Sequence, residues 1–212
     1  MPDRTTVGRW WRRYLRLLEE TFEKASGMLQ LVMPTTLLIV DSTPLVDLYD
    51  MEAGWGHTSR GKFRGFTLHA AVNQLGLPLR AVVTSGNRYD SSFLPKLIED
   101  LEADYVLADA GYDSKTNGKA VKAIDAKPGI ASNPRRGKRK KIKHAKLLKT
   151  KRYVMEQFNG HIKANVLKNC WVRPKDLVKK MVTAGLISYD AGAIKALLLD
   201  ESSLKCVSKY WA

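Results

Sequence analysis

Apolar residues follow two different patterns along this chain. Continuous apolar runs bounded by polar or turn-forming residues predict buried strands over residues 37–40 and 105–108, and residues 63–72, 77–84 and 128–132 are further predicted strands. Apolar residues that recur at spacings of three and four predict helices, and these cover residues 6–25, 93–101, 117–124, 149–169 and 175–199. Three strands in succession, followed by alternating helices and strands, are typical of an α/β protein with a mixed sheet and helices on its faces.

Local signals predict where several of these elements begin and end. Ser26-Gly27 is expected to end the first helix, whose apolar face contains Val7, Trp10, Trp11, Tyr14, Leu17, Leu18 and Phe22. The glycine-rich passage 54–62 is interpreted as a loop that enters a hairpin. Asp90 or Ser91 is expected to cap the helix that follows. The first helix is interpreted as packing on the core with a solvated basic side, and a helix lying on DNA phosphates is the alternative.

Two of the apolar runs end in an aspartate. Asp41 follows residues 37–40, and Asp109 follows residues 105–108. A carboxylate in such a place is costly unless it is hydrogen-bonded, paired or bound to a cation, although a turn aspartate that bonds its own backbone is the ordinary explanation. A third acid, Glu156, follows Arg152 by four residues on a predicted helix, where a surface ion pair is the ordinary explanation.

The charge of the chain favours a polyanionic partner. Its 212 residues carry a formal net charge of +15, which fits nucleic acid but equally fits a ribosomal or chromatin protein. A segment without acids concentrates the excess charge: Arg135, Arg136, Lys138, Arg139, Lys140, Lys141, Lys143, Lys146, Lys149, Lys151 and Arg152. The two cysteines have no metal-ligand spacing, and no apolar run is long enough to span a bilayer. We therefore expect a cytoplasmic, nucleoid-associated protein without a membrane partner.

Three carboxylates gathered at one end of a sheet would make an all-oxygen site suited to Mg²⁺ or Mn²⁺. Two such ions about 3.5–4 Å apart can clamp an in-line phosphoryl displacement. With a cationic surface beside it, such a site would act on the phosphodiester backbone of nucleic acid. Spacing along the chain does not itself show that Asp41, Asp109 and Glu156 converge.

Several short motifs occur in an order that resembles a known family. They are Val40-Asp41-Ser42-Thr43, Lys62 to His69, Gly76-Leu77-Pro78, Ala108 to Ser114, and Arg152 to Phe158, continuing to Lys163. In this order the chain resembles the catalytic domain of the DDE transposases of bacterial and archaeal insertion sequences. The resemblance implies a ribonuclease-H-like mixed sheet, with three antiparallel strands followed by parallel strands, flanked by helices.

The resemblance also implies roles for individual residues. Asp41, Asp109 and Glu156 would be the catalytic triad and would bind Mg²⁺ or Mn²⁺ as two ions. Arg152 and Lys163 match family positions that contact element-end DNA, whereas Lys149 stands where the family has tyrosine. Lys149 and the basic-loop residues Arg135, Arg136, Arg139 and Lys140 are further candidates for DNA contact. The expected partners are the terminal inverted repeats and the target DNA, with the protein acting as a homodimer on DNA.

The predicted organisation is a short basic and aromatic helical region over residues 1–33, a catalytic domain over 34–200 and a tail over 201–212. A basic loop, residues 133–150, would lie within the catalytic domain. The leading hypothesis is a transposase that hydrolyses a phosphodiester and directs the resulting 3′-hydroxyl at target DNA. A truncated, inactive DNA-binding remnant and a ribonuclease-H-like nuclease or resolvase are the alternatives.

Overall fold

A six-stranded sheet with helices on both faces forms the centre of the protein. A computed structural model describes residues 4–46, 51–58, 61–133, 144–166 and 175–199. The helices are α1 (Arg4–Val32), α2 (Leu94–Ile98), α3 (Lys115–Ala123), α4 (Ala145–His161) and α5 (Lys175–Leu198). The strands are β1 (Leu37–Val46), β2 (Gly54–Thr58), β3 (Gly61–Val72), β4 (Pro78–Ser85), β5 (Tyr105–Ala108) and β6 (Lys127–Ile130).

The sheet is mixed, as the sequence predicts. Its order is β2-β3-β1-β5-β6, and β4 also pairs with β3. Strand β3 is antiparallel to β1, β2 and β4, whereas β1, β5 and β6 run parallel to one another. In the β1–β5 register, Val40 lies opposite Ala108. Asp41 and Asp109, each the next residue along, are therefore brought side by side at the end of this pairing.

Two hydrophobic clusters cover the faces of the sheet. Leu37 and Ile39 of β1 belong to the cluster that includes α1, α4 and α5, while Leu38 and Val40 belong to the cluster that includes α2 and α3. Successive side chains of a strand point to opposite faces, and a strand buried on both faces has a continuous apolar run. The run 37–40 is thus explained, and the same alternation sends Asp41 and Ser42 to opposite faces.

Helix α1 is longer than predicted and buries a different part of its surface. It continues through Ser26 and Gly27 to Val32 because the Ser26 hydroxyl is buried and donates to Leu79 O at 3.2 Å, so it does not end the helix. Phe22 and Leu29 are buried, but Tyr14 and Leu17 are 51% and 55% exposed, so the prediction that these two pack in the core is wrong. The side chains of Val7, Trp10 and Trp11 lie outside the described set.

Strand β1 also runs further than predicted. It continues past Asp41 to Val46, so Asp41 lies within a strand and not at its end. Beyond Val40, among the described strands, β1 pairs only with β3. It is an edge strand there, and edge strands tolerate a proline such as Pro44.

The predicted loop 54–62 contains strand β2, which pairs with the first part of β3. Gly56 is needed for close approach, because a Cβ there would lie 2.5 Å from Gly86 O, whereas Gly61, where β3 begins, has a positive φ of 120°. A glycine-rich composition is typical of a loop, which is why the sequence did not predict strand β2.

The elements after β4 are of the predicted type, but several of their boundaries differ from the prediction. Helix α2 ends at Ile98, and the expected cap is wrong: the 3₁₀ turn Asp90–Ser92 that precedes α2 follows Tyr89 and has no side-chain cap. Ser114 does cap α3, since its hydroxyl oxygen accepts a hydrogen bond from Asn117 N at 3.0 Å. Strand β6 spans Lys127–Ile130 instead of 128–132.

Helix α4 has the predicted apolar stripe. Met155, Phe158 and Ile162 are 1%, 0% and 0% exposed, and Phe158 packs edge-on against Tyr189 of α5 with ring centroids 5.7 Å apart. The helix continues into a π turn, Ile162–Val166. Residues 134–143, which hold most of the predicted basic loop, and the tail 201–212 lie outside the described residues, and the proposed domain boundaries stay predictions. None of the helices described here is long and apolar enough to cross a membrane.

Replacing Phe158 with alanine tests whether α4 is fixed to the sheet by this stripe. Loss of a fully buried phenyl ring should lower the free energy of unfolding by about 3–5 kcal/mol, measured by urea denaturation. Leu31→Ala is the matched control, because Leu31 is 88% exposed and its truncation should change stability little. Equal stability losses in the two variants would contradict the described packing.

Candidate active site

Asp41 and Asp109 lie on neighbouring strands at the centre of the candidate site. Asp109 directly follows β5 and begins the 3₁₀ turn Ala110–Tyr112, where its Oδ1 accepts a hydrogen bond from Gly111 N at 2.7 Å. This is the ordinary turn role that the sequence left open for such an aspartate. Asp41 lies one residue beyond the last β1–β5 pair and is half-buried.

The surroundings of Asp41 favour its neutral form. Burial is the largest cause that raises its pKa, and together with the charges of Asp109 and Asp90 it brings the pKa from 3.8 to about 6. The Ser42 backbone N–H, hydrogen-bonded to the carboxylate, and the nearby Arg152 act in the opposite direction. Arg152 is the cation that acts on Asp41 among the described residues, and its effect is smaller than that of burial.

Asp90 is a third carboxylate at this place, and the sequence analysis missed its role. Its Oδ2 accepts a hydrogen bond from Ser42 Oγ at 2.9 Å, and its pKa is raised by burial and by the charge of Asp109. Ser42 and Asp90 are 48 residues apart in the chain. The local sequence indicates only a helix cap, so nothing in it reveals this contact.

Glu156 lies on helix α4, close to the site but not joined to it. Its Oε1 pairs with Arg152 Nε at 3.2 Å, and its side chain is 63% exposed. Three residues further along α4, Asn159 Nδ2 lies 3.5 Å from Asp41 Oδ2. Since residues three and four apart share a helix face, Glu156 is on the side of α4 that faces Asp41.

The structure thus brings together Asp41, Asp109 and Asp90, with Arg152 near them. Glu156 instead forms a surface ion pair with Arg152, which is the ordinary explanation that its sequence position suggests. Within the described ranges, no group of three or more acidic, histidine or cysteine side chains is arranged as a metal site. Lys149 and Lys163 are exposed on α4 and on its π turn, at helical spacing from Arg152 and Glu156. Arg135, Arg136, Arg139 and Lys140 lie outside the described residues.

Two buried polar side chains, His69 and Tyr112, lie beside the carboxylates. His69 is fully buried, its Nε2 lies 2.9 Å from Thr84 Oγ1, and burial lowers its pKa to about 4, so the ring is neutral near pH 7. Tyr112 is also fully buried, and its hydroxyl lies beside the Ser42 side chain, which acts on it as a hydrogen-bonding group. Burial and then the charges of Asp90, Asp41 and Asp109 raise the Tyr112 pKa, so its hydroxyl stays protonated.

The pair of aspartates fits a hard divalent cation. Mg²⁺ is commonly held by only one or two carboxylates, with waters and substrate phosphates as the other ligands. The pair offers oxygen ligands and negative charge. Gly111 keeps the space beside it clear, because a Cβ there would lie 3.0 Å from Asp109 Oδ1 and 3.6 Å from Asp90 Oδ2.

Asp41→Asn tests the electrostatic strain of this site. Asp41 ionises at a higher pH in the folded protein than in the unfolded one. As the pH rises from 3.8 to about 6, its ionisation therefore lowers the free energy of unfolding by an increasing amount. The variant should match wild type near pH 3.5 and be more stable near pH 7.5 by up to about 3 kcal/mol. Urea unfolding in EDTA measures the difference, with Asp100→Asn on an exposed turn as the control. A stability gap that is the same at both pH values would contradict this account.

Comparison with known proteins gives the family. Residues 33–190 match the family model described as the transposase DDE domain. This range contains the whole sheet, the helices α2, α3 and α4, and much of α5. The comparison with curated proteins gave no match.

Two solved structures are similar to this chain. One, from a piggyBac transposase synaptic complex with hairpin DNA, is 8% identical with a TM-score of 0.52, covering 84% of this chain and 52% of that one. The other, from a simian T-cell lymphotropic virus intasome in complex with PP2A regulatory subunit B56 gamma, is 15% identical with a TM-score of 0.47, covering 74% and 48%. This chain spans about half the length of each. The first likeness shows the fold alone, the ribonuclease-H-like mixed sheet. With the family model matching most of its length, the chain belongs to the transposase DDE domain family.

Proposed function

We propose that this chain is the catalytic domain of an insertion-sequence transposase that cuts and joins DNA. The observation that carries the proposal is the Asp41–Asp109 pair, held on adjacent strands inside the range that matches the transposase DDE domain. Its substrates would be the terminal inverted repeats of its element and a target DNA. Its reactions would be hydrolysis of a phosphodiester to leave a 3′-hydroxyl, and attack of that hydroxyl on a phosphodiester of the target DNA, whose own 3′-oxygen would leave.

Asp41 and Asp109 would hold Mg²⁺ or Mn²⁺ through their carboxylate oxygens. Two such ions supply activation of the attacking oxygen and stabilisation of the departing one. The chain's own residues place these ligands: the β1–β5 pairing sets the spacing of the two acids, and Asn159 lies against Asp41 Oδ2. The turn that Asp109 begins fixes the direction of its carboxylate through Gly111 N.

Glu156 would complete the triad once it separates from Arg152. The pair between them is exposed on both sides, with side chains 62% and 63% exposed. An exposed pair of this kind contributes only about 0.3–0.5 kcal/mol. A DNA phosphate bound to Arg152 would accept stronger, bidentate hydrogen bonds, which would release the Glu156 carboxylate on the face of α4 that meets Asp41.

The DNA backbone would run along α4. Lys149, Arg152 and Lys163 line that helix and its π turn, and the basic segment with Arg135, Arg136, Arg139 and Lys140 directly precedes it in the chain. Neutralising phosphates releases counterions and makes binding salt-dependent. Since two element ends must be handled together, the active form would be a homodimer on DNA.

The Arg152–Glu156 pair favours a second candidate, an inactive DNA-binding remnant. Such a protein would keep the fold and the charge but never bring Glu156 to the aspartates. It would bind DNA in a salt-sensitive way and neither cut nor join it. A ribonuclease-H-like nuclease or resolvase would cut the same DNA without joining it.

The proposal is tested by incubating the protein with Mn²⁺ and a duplex that carries the ends of its own element, then following strand cleavage and joining. Asp109→Asn should reduce cleavage by at least about 100-fold while DNA binding persists, because the amide keeps the turn but loses the charge. Glu102→Gln, on an exposed loop, is the matched control and should cleave normally. Unchanged cleavage by Asp109→Asn would overturn the assignment, and binding without cleavage by wild type would favour the remnant.

Lys149→Gln tests the path of the DNA. If Lys149 contacts one phosphate, the variant should bind DNA more weakly. The slope of log Kobs against log salt concentration should then become shallower by about 0.9. Lys119→Gln, an exposed lysine on α3 across the sheet, should leave the slope unchanged. Equal slopes for wild type and Lys149→Gln, measured by fluorescence anisotropy, would contradict DNA contact at α4.

A further inference from the structure

We propose that Asp90 is a positioning residue of this site: it fixes Ser42 and, through Ser42, the direction of the Asp41 carboxylate. Its importance for reactivity rests on the proposed function, whereas its action on Ser42 does not. Nothing in the transposase chemistry set out above requires an acid at this position.

Ser42 connects the two acids. Its hydroxyl donates to Asp90 Oδ2 at 2.9 Å, and its backbone N–H is hydrogen-bonded to the Asp41 carboxylate. Because neighbouring strand residues point to opposite faces, Asp41 faces α4 while Ser42 faces the α2 side, where Asp90 lies. Ser42 therefore contacts the acid on one face of the sheet through its hydroxyl and the carboxylate on the other face through its backbone N–H.

Asp90 lies beside the buried ring of His69. His69 lies directly opposite Ser42 in the β1–β3 register, and its ring stacks on Phe93 with centroids 4.5 Å apart. His69 Nδ1 lies 3.7 Å from Asp90 Oδ1, which is too long for a hydrogen bond. The neutral ring shapes the space around Asp90 without cancelling its charge.

Asp90 also meets the turn that carries Asp109. A Cβ on Gly111 would lie 3.6 Å from Asp90 Oδ2, the same oxygen that Ser42 bonds. The buried Tyr112 hydroxyl lies in the same place, beside the Ser42 side chain and close enough to be affected by the charge of Asp90. Asp90 therefore lies between the strand that holds one proposed ligand and the turn that holds the other.

The contacts assign Asp90 a positioning role and not that of a ligand. Its Oδ2 accepts a hydrogen bond from Ser42 Oγ at 2.9 Å, and its Oδ1 lies 3.7 Å from His69 Nδ1. Mutation of a group that hydrogen-bonds and orients a metal ligand typically weakens metal affinity by about 10–100-fold.

The first arm of the test needs no metal. In the full chain held in EDTA, hydrogen exchange and the NMR chemical shift of the Ser42 amide are compared for wild type, Asp90→Ala and Asp90→Asn. Asp90→Ala should speed exchange and move the resonance, while Asp90→Asn should stay close to wild type because its amide oxygen still accepts from Ser42 Oγ. An unchanged Ser42 amide in a folded Asp90→Ala variant would overturn the proposal.

The second arm measures Mn²⁺ affinity by calorimetry. Asp90→Ala and Ser42→Ala should each weaken binding by about tenfold or more, and the double variant should be no weaker than either, since both act through one hydrogen bond. Equal losses in Asp90→Asn and Asp90→Ala would show that charge matters and not position, and would overturn the proposal. Additive losses would do the same. If wild type binds no Mn²⁺, the proposed function fails. The hydrogen exchange and chemical shift of the Ser42 amide then still test whether Asp90 positions Ser42.

Discussion

The pairing of β1 with β5 is the constraint on which the site depends. It places Asp41 beside Asp109, although their charges repel and although Asp41 is partly desolvated, which raises its pKa to about 6. The two hydrophobic clusters on either face of the sheet stabilise this arrangement, since β1 and β5 contribute buried side chains to both. Burial of apolar surface elsewhere therefore offsets the free-energy cost of burying Asp41 beside Asp109. A cation bound between the two carboxylates would reduce that cost.

Alternation along β1 gives the site two sides with separate tasks. Asp41 faces α4, which brings Asn159 to its carboxylate and Arg152 close enough to act on its charge. Ser42 faces the other way and meets Asp90, in front of the buried His69. The α4 side presents exposed basic side chains, whereas the Asp90 side lies against the buried His69 ring.

Local patterns predicted the parts of the fold that depend on local forces. Apolar runs located β1, β5 and the aspartates that end those runs, Asp41 within β1 and Asp109 after β5, and helical spacing located the buried stripe of α4. The Asp90 contact with Ser42 was out of reach because it joins residues 48 positions apart. Composition misled at Gly56, where glycine serves a close approach between strands. It misled again at Ser26, where a buried hydrogen bond to β4 replaces the expected helix end.

Arg152 decides how the remaining acid behaves. Its charge stabilises the ionised form of Asp41, and its Nε bonds Glu156, so one guanidinium serves two of the three acids of the proposed triad. Bringing Glu156 to the aspartates without a cation would add a third negative charge to a place that already disfavours two. The exposed Arg152–Glu156 pair is therefore the arrangement expected of this site before metal and DNA arrive, and a phosphate on Arg152 with a cation on the aspartates would reverse both preferences together.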